Sequence, residues 1–166
     1  MARGRRNENF ANWNVRVGGI QQSSDQFYTA VEKELKRHNI DRLVIRRVDL
    51  SEYGILSSKR EYLEVYFAGY VFHLCLAPFG DGCFVSWWCG QVIPWITRVF
   101  DMISLVGRFF RWLDGPETYY RIDIAIMFQS VVHDSVLYVL DELAQLQAKE
   151  PIPLDARKPR MRDFLA

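Results

Sequence analysis

Apolar residues along this chain switch from a helical spacing to a strand spacing and back, and each switch predicts an element. Between Ser23 and Ile40, Phe27, Val31 and Leu35 recur every four residues, which places them on one face of a helix. Ser23 followed by Gln26 has the form of a capping box at its start. Lys33, Lys36, Arg37 and His38 load its end with positive charge, and Asn39 suits a left-handed stop. Strand-like segments follow at 42–50, 61–69, 70–78 and 83–90. Leu63, Val65 and Phe67 alternate there with Tyr62, Glu64 and Tyr66. The residues between them at 51–60 read as a loop. Residues 118–149 read as a long final helix, although the opening YYRIDIAI alternates enough to suit a strand.

The segment 83–113 is the most distinctive, with four of the five tryptophans and four of the eleven phenylalanines. Its charges are Arg98, Asp101, Arg108 and Arg111. With Thr97 and Ser104 they draw a narrow polar stripe down an otherwise apolar helix beginning near Pro94. Such a helix must bury most of its circumference. The uncharged run before Arg98 is about fifteen residues, short of the roughly twenty that span a bilayer, and Arg98 and Asp101 would then sit deep in it. Packing in the domain, docking on a partner, or lying in a membrane interface all suit the pattern better.

The expected fold is therefore α+β: an N-terminal helix, an antiparallel meander of three or four strands, then two C-terminal helices packed on the sheet. Residues 1–22, with Arg3, Arg5 and Arg6, are expected to form a flexible basic leader. Residues 23–149 form a single domain, and 150–166 a tail containing proline and arginine. PFGDG at 78–82 reads as a hairpin turn. If Pro78 lies opposite Cys83, Phe72, Leu74 and Leu76 share a face with Val85, Trp87 and Cys89. His73, Cys75 and Ala77 then share the other with Phe84, Ser86 and Trp88. Both faces would be largely apolar, so each must be covered or kept for a partner.

Composition adds little to this picture. At 166 residues, 25% charged, with a net charge of +1, the chain suits one globular domain and gives no global reason to expect nucleic acid. Three cysteines without paired spacing suggest reduced thiols and a cytoplasmic location. The basic N-terminus lacks the apolar core of a secretory signal.

Candidate chemistry is sparse. His73 and Cys75 lie two apart on one strand and form the nearest approach to a nucleophilic pair, though mid-strand burial would leave the thiol inert. His73, Cys75, Cys83 and Cys89 could supply four zinc ligands but lack knuckle spacing. Arg121 and Asp123, among isoleucines and tyrosines, would need partners if buried, and Gln129 and His133 at i, i+4 could bond each other. Cys89 sits in WWCGQ at an expected strand exit. A helix, a four-stranded meander, a loop cysteine and then helices resembles the element order of ubiquitin-conjugating domains. That resemblance implies a cysteine-dependent transfer enzyme with Cys89 as nucleophile, yet the HPN-type residues usually found ahead of the cysteine are missing.

The expected function is a non-catalytic interaction module or small subunit of a complex, docking through 83–113. Its anchors would be Trp88, Trp95, Phe100, Phe109, Phe110 and Trp112, with Arg98, Arg108 and Arg111 beside them. Another protein is the expected partner. An anionic membrane surface is the alternative, homo-oligomerisation is left open, nucleic acid is disfavoured, and neither a cofactor nor a metal is expected.

Overall fold

The computed structural model describes residues 7–20, 22–51, 59–92 and 119–161. They form an α+β domain. β1 (Asn7–Val17) comes first, then α1 (Ser24–Arg37) and a meander of β2 (Val44–Ser51), β3 (Lys59–Phe67), β4 (Tyr70–Phe79) and β5 (Gly82–Val92). A long helix, α2 (Tyr119–Leu146), and the two-residue β6 (Arg160–Met161) complete it. The sheet is antiparallel, in the order β2-β3-β4-β5-β1-β6.

Two corrections to the expected order follow. The chain opens with a strand rather than a helix: residues 7–17, read as leader, pair along β5 from Asn7 opposite Val92 to Val17 opposite Cys83. In ANWNVRV the apolar residues Ala11, Trp13, Val15 and Val17 alternate with Asn12, Asn14 and Arg16, a two-residue strand period that the leader reading passed over. The described residues also contain two helices rather than three. The aromatic helix expected from Pro94 falls on residues 93–118, outside the described residues.

Elsewhere local chemistry acts as the pattern predicts. The Ser23 side chain accepts from the Gln26 amide, Asn39 takes φ 49°, and Phe27, Val31 and Leu35 are buried. The β4–β5 hairpin has Pro78 opposite Cys83, and it turns through Gly80 at φ 64° and Asp81. Both helices cover one face of the sheet. There Trp13, Leu63, Val65, Phe72, Leu74, Val85 and Trp87 meet Phe128, Val132, Val136 and Leu140 in one core cluster. Phe72 sits at its centre, with ring centroids 4.8 Å from Trp87 and 5.2 Å from Phe128. Arg47 closes the β2 edge of this layer by pairing with Asp25 and Glu32 of α1.

Tyr28 joins α1 to the sheet in an unusual way. Its hydroxyl accepts from the Leu76 amide (3.2 Å) and donates to the Glu61 carbonyl (2.9 Å), bridging β4 and β3. Burial holds the phenol far above its ordinary pKa, so it remains a donor. Tyr28→Phe leaves a backbone donor and acceptor unpaired. It is expected to cost about 2 kcal/mol, read as a fall of several degrees in the thermal midpoint.

Candidate docking surface

The register sends alternate residues to the second face, away from the helices. Val71 and Cys75 are buried there without belonging to the main core cluster. A cross-strand row runs over this face: Arg46, Glu64, His73, Trp88, Asn12. Arg46 Nε donates to Glu64 Oε1 at 2.7 Å, and His73 Nε2 lies 3.1 Å from Glu64 Oε2. Tyr62 sets its ring edge-on to His73 at 6.5 Å. Both carboxylate oxygens are thus engaged, and His73 is turned toward Glu64 rather than Cys75. Trp88, next in the row, is 45% exposed.

The thiols do not present themselves for chemistry. Cys75 shares a face with His73 as the alternation requires, but burial raises its pKa, only partly offset by the neighbouring Arg60 guanidinium. Cys89 is not at a strand exit, because β5 continues to Val92. It faces the core, fully buried between Ala11 and Phe72, and desolvation pushes its thiol far up. Cys83 is likewise buried and raised. Nucleophilic sulfur must be thiolate, the form that burial disfavours at all three. The sheet also separates the four residues weighed as zinc ligands, with His73 and Cys75 on one face and Cys83 and Cys89 on the other.

At one corner of the domain several connections converge. The Val92 amide donates to the Gly69 carbonyl (2.8 Å), and the adjacent Tyr70 hydroxyl donates to the Arg121 carbonyl (3.0 Å) at the start of α2. The end of β5 and the first turn of α2 are therefore both tied to the β3–β4 hairpin. Asn7 pairs with Val92, so residues 1–6, with Arg3, Arg5 and Arg6, join β1 at the same corner. Exposed apolar side chains include Tyr119 (86%), Tyr120 (74%) and Met127 (66%) on α2, and Val44 at the start of β2. Trp88 lies four residues back along β5.

Of the residues expected to bind, Trp88 is exposed on the second face. Trp95, Arg98, Phe100, Arg108, Phe109, Phe110, Arg111 and Trp112 lie outside the described residues. Sequence reasoning missed Tyr70, which pins the corner, and the exposed Tyr119 and Tyr120. Their signal was the tyrosine pair opening a helix directly after DGPET. Gln129 and His133, which could have bonded each other, do not: the Gln129 amide oxygen is buried with no partner among the described residues, and His133 bonds elsewhere. Asp123 is exposed and Arg121 half-buried, so Asp123 at least needs no buried ion-pair network. No protein-family model, curated protein or solved structure matches this chain.

Proposed function

We propose that this protein is a non-catalytic docking module that presents its aromatic segment to a partner protein from one corner of a rigid α+β scaffold. The convergence at the Gly69–Tyr70 hairpin carries the reading. A segment fixed at both ends to one hairpin can serve as a binding element without being a strut of the core. Its composition suits the role, because aromatic and arginine anchors dominate interface energies. The buried, raised thiols favour this reading over the cysteine-dependent alternative.

A second reading has its own observation. Arg3, Arg5 and Arg6 join the fold at the corner where the segment carrying Arg98, Arg108 and Arg111 leaves it. That combination of aromatics and cations suits an anionic membrane surface, where each basic residue contributes about 1 kcal/mol. By length and composition α2 could cross a membrane, but Phe128, Val132, Val136 and Leu140 are committed to the core. Arg108→Glu with Arg111→Glu separates the two readings. A protein-docking segment should leave the protein in solution when it is mixed with vesicles of phosphatidylserine and phosphatidylcholine, before and after the change. Salt-sensitive flotation of the parent that the double variant loses would transfer the proposal to the membrane.

A further inference from the structure

The segment after α2 is held across the edge of the fold by backbone carbonyls rather than by a packed element of its own. Trp13 Nε1 donates to the Ala156 carbonyl at 2.7 Å, and His133 Nε2 meets the Arg157 carbonyl at 2.7 Å. The Arg157 guanidinium forks onto Asp141 (2.8 and 2.7 Å), and its Nε donates to the Ile152 carbonyl. Ile152 is the one apolar side chain of this strap that is buried among the described residues, and β6 pairs only with Ala11 and Asn12. At the hinge, Ala148 is held at φ 52°, a left-handed conformation that costs an L-residue roughly 1–2 kcal/mol.

His133 decides whether this arrangement can close. The Trp87 indole N–H donates to its Nδ1 at 3.1 Å. Nδ1 must therefore be bare and Nε2 must carry the proton given to Arg157. This fixes one neutral tautomer between the Trp13 and Trp87 rings, whose centroids lie 5.1 and 5.5 Å away. A second proton would set two N–H groups against each other inside the core. The charges near the imidazole are Asp134 on α2, and the Arg157 and Asp141 pair, whose members already satisfy each other.

We propose that His133 is a proton-operated latch: a proton on Nδ1 faces the Trp87 N–H and leaves a charge buried beneath the strap, so that 150–161 lifts to admit water although Nε2–H still suits the Arg157 carbonyl, uncovering the β1 edge at Ala11 and Asn12 and the seat of Ile152. Burial lowers the pKa of His133 from its ordinary 6.5. The sign follows. With a depressed folded pKa, the closed form is fully stable above pH 6.5 and loses stability as pH falls below it.

The test uses the full chain with a nitroxide at Leu154→Cys, a position 82% exposed, while the native thiols are buried. The label should be immobile at about pH 7.5 and become mobile as the pH falls below 6.5, in a one-proton transition. His133→Gln should abolish the transition, whereas His38→Gln and His73→Gln should leave it. Asp141→Asn, which loosens the other anchor, should move the midpoint upward. In the parent, the imidazole resonances of His133 should titrate with the same midpoint as the label, a measurement that serves even if His133→Gln does not fold. A strap that stays immobile to pH 5, a transition that survives His133→Gln, or two different midpoints would overturn the latch.

Discussion

Gly82→Ala is expected to cost about 4 kcal/mol or more, among the largest losses available to a single methyl group in this fold. Gly82 opens β5, where the end of β1 crosses the β4–β5 turn. The Gly19 amide donates to the Asp81 carbonyl there, and Arg16 pairs with Asp81. A Cβ at Gly82 would fall on the Val17 carbonyl oxygen, 3.0 Å from its carbon and 2.9 Å from Gly18 Cα. These atoms are all backbone, held by the β1–β5 ladder, so no side chain can rotate away. Gly18→Ala is the control, since its Cβ would meet nothing within 4 Å. Chemical denaturation of both variants checks the ranking. A Gly82→Ala protein as stable as Gly18→Ala would mean that the crossing is not as described.

Phe72→Ala should destabilise the domain by about 3–5 kcal/mol, the range for truncating a fully buried aromatic ring. Phe72 is shielded from solvent on β4 and touches both Trp87 on β5 and Phe128 on α2, so its loss opens a cavity shared by sheet and helix. Phe84→Ala, on the second face and only half-buried, should cost about 1 kcal/mol, scaled to its smaller burial. Denaturant midpoints with unchanged slopes give the comparison. Equal losses at the two positions would show that the second face is as much a core as the first.

That division of faces was legible in the sequence because strands have a strict two-residue period. Once Pro78 was placed opposite Cys83, every pairing from Phe72 to Phe84 followed, and the structure keeps that register. The α1 cap, its buried stripe and the long α2 were legible for similar reasons: each is decided by residues within one or two turns. β1 was legible only in its period. Ala11, Trp13, Val15 and Val17 alternate with Asn12, Asn14 and Arg16, whereas its ladder partner β5 lies far along the chain and no spacing rule names it. Gly90 marks a strand end by local rules and would put Cys89 at an exit, whereas pairing with β1 carries β5 on to Val92. The role of His133 depends on Trp87 and Arg157, 46 and 24 residues away, and no spacing rule links them.

The most direct test of the docking account replaces residues 94–113 with a glycine–serine linker of about eight residues, which reaches some 26–29 Å and joins two ends already held at one hairpin. Thermal unfolding and association would be read on the same samples, by sedimentation with co-purifying protein and by vesicle flotation. The account predicts a cooperative transition within a few degrees of the parent, together with loss of an association that the parent shows. A variant that unfolds, or one that associates as the parent does, would contradict it, as would a parent that remains a lone monomer throughout.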